Sequence, residues 1–191
     1  MPLDRGHAID DFQCQRDPGA VSHLQDEAWK SIESGYGEVF VLPSKDRPGC
    51  IDGYYHLAGS SLSRSDVKNR DQKIMRRHGP ASVYAVVYVA RDDRARKGIG
   101  AALLVDAARR ARDYLNNWGL ILYAKKRGLI AFYESLGFSV GRTVPQQILE
   151  EDRIKNLGIV FQDNSKLVEE AYLMYAAYGS LIIFRDQLNS K

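Results

Sequence analysis

One joint restricts this chain's fold more than any other. Val83-Tyr84-Ala85-Val86-Val87-Tyr88-Val89-Ala90 is apolar throughout and rich in β-branched and aromatic residues, which predicts a strand buried on both faces. Arg91-Asp92-Asp93-Arg94-Ala95-Arg96-Lys97-Gly98-Ile99-Gly100-Ala101 follows. From Ile99 the apolar positions Leu103, Leu104, Ala107, Ala108, Ala111 and Leu115 fall on one helical face. A strand that feeds a helix through a glycine loop belongs to an α/β architecture. The first amides of that helix lack intrahelical partners and sit at the positive end of its dipole. Glycines there let an oxygen-rich ligand approach the backbone. The joint therefore reads as a site for a phosphate or pyrophosphate, with Arg96 and Lys97 as adjacent cations. Gly-x-Gly ahead of a helix also serves as plain packing, so the loop alone leaves both readings open.

Two familiar phosphate motifs are excluded. The chain has no Gly-x-x-x-x-Gly-Lys-Ser/Thr. A dinucleotide fingerprint needs a third glycine where Leu103 stands. Lys97-Gly98-Ile99-Gly100-Ala101-Ala102-Leu103-Leu104 instead resembles the opening of the coenzyme A helix in the GNAT superfamily of acetyltransferases. Downstream, Ala124-Lys125-Lys126-Arg127-Gly128-Leu129-Ile130-Ala131-Phe132-Tyr133-Glu134-Ser135-Leu136-Gly137-Phe138 is similar to that superfamily's second signature, a short helix ending in Gly-Phe. The two motifs span residues 83–140.

The resemblance implies an α/β (α+β) GNAT fold: a mixed central sheet with helices on both faces, and splayed central strands that form an acyl-CoA cleft. It implies acetyl-CoA as cofactor. Tyr88, Val89 and Ala90 match the strand end that pairs with the pantetheine arm, where an amide polarises the thioester carbonyl. Arg96, Lys97, Gly98, Ile99, Gly100 and Ala101 match the pyrophosphate loop. Tyr133 matches the tyrosine that protonates the departing thiolate; the alternative is an aromatic anchor of a short helix. One departure stands out. The family carries Arg or Gln three residues before the first loop glycine, and here that residue is Ala95, leaving Arg94 or Arg96 to replace the side chain.

Further upstream, Asp11-Phe12-Gln13-Cys14, Gly37-Glu38-Val39-Phe40-Val41 and Ile51-Asp52-Gly53-Tyr54-Tyr55-His56-Leu57-Ala58-Gly59-Ser60 extend the resemblance to the GNAT toxins of bacterial toxin–antitoxin pairs. These enzymes acetylate the α-amine of aminoacyl-tRNA and block translation, which implies a tRNA substrate and a DNA-binding antitoxin as partner. Charge is distributed to match. Residues 64–127 hold 16 Lys/Arg against 6 Asp/Glu, while residues 1–63 hold 5 against 10 and residues 128–191 hold 6 against 8. Such a basic block suits a polyanion. Arg76, Arg77, Arg91, Lys125 and Lys126 are the candidate tRNA contacts, by salt-dependent phosphate binding; taken singly, each reads first as a solvated surface cation. A small-molecule or protein amine is the alternative acceptor, and a non-catalytic coenzyme A-binding or tRNA-binding module the alternative class. No His or Glu stands out as base. His56 reads as structural or as facing the cleft, and an α-amine with a pKa of about 8 needs only water.

The rest of the chain supplies context. With 191 residues, a single GNAT domain over 1–191 is expected. No apolar run reaches the ~20 residues of a membrane span, and the N-terminus carries no signal-type segment; a cytoplasmic protein without membrane contact is expected. Cys14 and Cys50 fit no zinc spacing and no disulfide framework, so no metal is expected. Helical spacing runs through 21–34, and Glu38–Leu42 with Ile51–Leu57 reads as a hairpin. Leu120–Tyr123 reads as a strand, Leu129–Leu136 as a helix capped by Gly137, and Phe138–Val140 as extended. Residues 141–180 stand where relatives have a short hairpin. They read as an atypical helical insertion before the last strand, with helices over Gln146–Leu157 and Ser165–Tyr178 and a final strand Leu181–Phe184. The stripe Leu167, Val168, Ala171, Tyr172 and Tyr175 reads as core packing, a lid, a homodimer surface or an antitoxin contact.

Overall fold

The computed structural model describes residues 1–69, 71–113, 117–145 and 170–181. Its elements, in chain order, are α1 (Pro18–Ser22), a π-helical turn (His23–Glu27), α2 (Ala28–Glu33), β1 (Glu38–Pro43), β2 (Ile51–Leu62), α3 (Gln72–His78), β3 (Ala81–Arg91), α4 (Ile99–Asp113), β4 (Gly119–Ala124), α5 (Ile130–Ser135), β5 (Ser139–Pro145) and β6 (Glu170–Ala177). Six strands make a mixed sheet, ordered β1-β2-β3 and β4-β6-β5. The chain forms two compact units: Met1–Ser60 with Tyr84–Leu115, and Ser61–Val83 with Asn116–Lys191.

In the first unit β1 and β2 form the expected hairpin, antiparallel from Glu38↔Leu57 to Leu42↔Gly53. Successive side chains of β2 leave on opposite faces, and the two faces carry different helices. Tyr54 donates its hydroxyl to the Ala20 carbonyl of α1 at 2.6 Å, and His56 meets His23 of the π-turn at 3.2 Å between Nδ1 and Nε2. Tyr55, on the other face, donates to Asp106 of α4 at 2.6 Å and stacks on Phe40 of β1. Helices on both faces are thus secured by the alternation Tyr54, Tyr55, His56. β3 departs from its expected burial. Val83, Val86 and Ala90 are buried, but Tyr84, Ala85, Val87, Tyr88 and Val89 are only half-buried. An apolar run fixes the strand; it does not fix how much of the strand is covered.

In the second unit β6 pairs antiparallel with β4 (Gly119↔Ala177 to Ala124↔Tyr172) and with β5 (Ser139↔Tyr175 to Pro145↔Glu170). This overturns the helix expected over Ser165–Tyr178, because 170–177 is strand. The physical reason is burial on both faces: Ala171, Leu173, Met174, Tyr175 and Ala176 are all buried, and a continuous apolar run carries no period to separate strand from helix. The helix expected over Gln146–Leu157 lies outside the described residues, as does the expected final strand beyond Leu181, which itself follows a 3-10 turn at Tyr178–Ser180. α3, absent from the sequence reading, falls in the polar basic stretch 65–78.

Candidate active site

β3 ends at Arg91 and α4 begins at Ile99. Gly98 turns the chain between them with φ +92°, a left-handed conformation that other residues rarely adopt. The amide of Ala102 donates to the Gly98 carbonyl at 3.1 Å, as the first helical bond. The amides of Ile99, Gly100 and Ala101 precede that bond, so the helix itself leaves them free. A Cβ on Gly98 or Gly100 would meet nothing within 4 Å beyond its chain neighbours and, at Gly100, the helix's own backbone. The joint therefore has open space where an oxygen-rich ligand would approach, and Arg96 and Lys97 are exposed beside it.

The strand end has a direction. The Asp92 amide donates to the Asp52 carbonyl of β2 at 2.9 Å. Backbone groups alternate sides along a strand, so the amides of Ala90 and Tyr88 face β2 as well. Val89 presents its amide and carbonyl away from β2. Among the three residues expected to meet a pantetheine arm, Val89 is the one whose backbone groups do not point toward β2.

A buried carboxylate shapes the loop. Asp92 is 0% exposed. It accepts Arg94 Nε on Oδ1 and Arg94 Nη2 on Oδ2, both at 2.9 Å, and the amides of Arg94 at 2.9 Å and Gln13 at 3.1 Å. Burial by itself would raise this carboxyl; the hydrogen bonds from Arg94 and Gln13 outweigh burial and hold it below the ordinary carboxylate range. Arg94 also donates to the Asp11 carbonyl. Its fork is thus committed, and it does not stand in for the side chain missing at Ala95. Arg91 is committed too, donating to the Ala95 carbonyl. Arg96 is the loop arginine left to face a ligand.

In the second unit Tyr133 is buried in α5, with its ring edge-on to Phe138 at 6.1 Å and tilted against Phe132 at 5.3 Å. The helix stops at Gly137, whose φ is +98° and where a Cβ would lie 2.3 Å from the Ser180 carbonyl oxygen. The expected C-cap is therefore required twice over, by conformation and by space. Lys126 is exposed and Lys125 half-buried just ahead of α5, and Arg76 is exposed on α3, which also holds Arg77.

Comparison with solved structures decides the architecture. A tyrosine-to-phenylalanine mutant of KacT superposes with a TM-score of 0.67 at 19% identity, covering 96% of this chain and 92% of that one. AtaT complexed with acetyl-methionyl-tRNAfMet gives 0.64 at 17%, covering 88% of each chain. The AtaT mutant toxin bound to the C-terminus of the antitoxin AtaR and acetyl-CoA gives 0.63 at 16%, covering 98% of this chain and 97% of that one. The chain has the GNAT fold. No family model matches the sequence, and no curated protein does. At identities below 20% the likeness carries the architecture alone.

Two groups of this GNAT fold escaped sequence reasoning. His23 and His56, buried together, stack with ring centroids 5.1 Å apart; Tyr88 lies over His23 at 4.1 Å, and Glu27 approaches the His23 Nδ1 at 3.6 Å. The two histidines are 33 residues apart and no spacing rule joins them. Arg47 reaches from the β1–β2 turn to Asp52 at 3.0 Å and Asp92 at 3.4 Å. The only available signal was Asp92 itself, a carboxylate inside a stretch rich in cations.

Proposed function

We propose that this chain is an acetyl-CoA-dependent N-acetyltransferase whose acceptor is the α-amine of an aminoacyl-tRNA, acting as a toxin that blocks translation. The observation that carries the reading is the β3–α4 joint, where the amides of Ile99, Gly100 and Ala101 precede the first helical bond and Gly98 and Gly100 leave open space beside them. Acetyl-CoA, when bound, supplies an acetyl thioester. Those amides, with Arg96 and Lys97, would hold its pyrophosphate. Tyr88, Val89 and Ala90 would pair with the pantetheine arm, and the amide of Val89 would polarise the thioester carbonyl. As the acceptor nitrogen bonds to the acetyl carbon and the C–S bond breaks, Tyr133 would give its phenolic proton to the departing sulfur, and the amine's proton would pass through water back to the tyrosinate. Arg76, Arg77, Lys125 and Lys126 hold the acceptor RNA through its phosphates; Arg91 contributes charge from its contact with Ala95.

Two solved neighbours support the acceptor and partners: AtaT complexed with acetyl-methionyl-tRNAfMet, and the AtaT mutant toxin with acetyl-CoA and the C-terminus of the antitoxin AtaR. A DNA-binding antitoxin is accordingly the protein partner proposed here. The test is acetyl transfer from labelled acetyl-CoA to a panel of charged and uncharged tRNAs. Label should enter charged tRNA alone, and expression should arrest growth. Turnover with small amines and none with any charged tRNA would move the acceptor to the small-molecule class.

A further inference from the structure

Between the β1–β2 turn and the loop ahead of α4 lies a cavity of about 370 Å³, within the size range of small-ligand sites. Lys45, Arg47, Arg94 and Arg96 line it, with Asp46 and Asp52. The charges are unequally committed. Asp52 takes Arg47 Nη2 at 3.0 Å, and Asp92, buried behind, takes the Arg94 fork. Arg47 Nη1 is buried and has no hydrogen-bond partner among the described residues. A buried guanidinium nitrogen without an acceptor calls for one. Lys45 and Arg96 make no ion pair or hydrogen bond among the described residues, and Asp46 is the one lining carboxylate in the same condition.

We propose that this cavity, which adjoins the β3–α4 joint at Ile99 and shares Arg96 with it, is a second phosphate site beside the amides of Ile99, Gly100 and Ala101. Lys45, Arg47 and Arg96 bring donors from two chain segments, 49 residues apart between Arg47 and Arg96, and a phosphate group offers several oxygens to match them. The lone carboxylate of Asp46 tempers the site. Two carriers offer this chemistry: the 3′-phosphate of the coenzyme A adenosine, and the backbone of an acceptor RNA. The choice of carrier rests on the proposed function; the cavity does not.

The decisive variant is Lys45→Glu, at an exposed side chain with no partner to lose, with Asp46→Asn as its counterpart of opposite sign. Both are expected to keep the melting temperature of the parent. Calorimetry with adenosine 3′,5′-bisphosphate as probe should show binding weakened about tenfold or more by Lys45→Glu and tightened by Asp46→Asn. Acetyl-CoA against 3′-dephospho-acetyl-CoA, and charged tRNA, form the further arms. Loss with acetyl-CoA but not with the dephospho form assigns the site to the cofactor; loss with tRNA alone assigns it to the acceptor. Affinities for all four probes unmoved by both variants would overturn the proposal. A parent protein that fails to bind acetyl-CoA yet binds the bisphosphate through Lys45 would remove the proposed function and leave the phosphate site standing.

Discussion

Arg94 grips Asp92 two residues upstream with both arms of its fork, Nε on Oδ1 and Nη2 on Oδ2, each at 2.9 Å. The pair closes the loop between β3 and α4 on itself, and Gln13 and Arg47 add contacts from elsewhere in the same unit. The loop that would hold a cofactor is therefore braced by a charge that never touches it.

That brace predicts an acid sensitivity. The native Asp92 carboxyl lies below its unfolded value of 3.8. Its contribution is fully present above that value and is lost as pH falls through the lower native one. Denaturant midpoints should fall below about pH 4 in the parent, and less steeply in Asp92→Asn, which should be the less stable protein at neutral pH. Parallel pH profiles for the two proteins would contradict this.

Tyr133→Phe removes the phenolic proton and keeps the ring that packs on Phe138. Acetyl transfer should drop roughly 100-fold, the usual range for a lost general acid. Acetyl-CoA affinity should stay within about twofold, because the hydroxyl acts on the departing sulfur and not on the ground state. Rates and affinities measured on one preparation separate this from misfolding, which would lower both.

Gly100→Ala separates folding from binding. A Cβ there meets nothing within 4 Å beyond its chain neighbours and the helix's own backbone, and alanine in a helix is favoured over glycine by about 0.5–1 kcal/mol. The variant should melt slightly higher and bind acetyl-CoA about tenfold more weakly, because the methyl group stands where ligand oxygens approach. Unchanged affinity would remove the loop from the cofactor site.

Gly137→Ala combines a left-handed φ with a 2.3 Å approach to the Ser180 oxygen, and should cost about 1–3 kcal/mol. Urea unfolding reads the loss. Hydrogen exchange should place it first at the end of α5, beneath Tyr133.

Much of this was legible in the sequence because the deciding signals are local. The run Val83–Ala90, the glycines at 98 and 100 and the apolar face from Ile99 fix a strand, a turn and a helix without reference to anything distant. Gly137 announces the end of α5 in the same way. The tail was misread because Ala171, Tyr172 and Tyr175 fit a helical stripe as well as they fit a strand buried between two neighbours. The candidate site was legible as an anion loop. Its bracing was not, since Arg47 and Gln13 reach Asp92 from positions 45 and 79 residues away, and Ala95 looked like a gap that Arg94 might fill until Arg94 proved to be spent.

The pairing of Pro145 with Glu170 has a practical consequence. Residues opposite each other in an antiparallel ladder have Cα atoms about 5 Å apart, so the chain leaves the sheet and re-enters it at a single doorway. That doorway also ends the pairing: β5 is the edge strand of the order β4-β6-β5, and proline has no N–H to offer a further rung. Pro145 thus acts as a full stop written into the sequence, fixing where β5 lets go of β6.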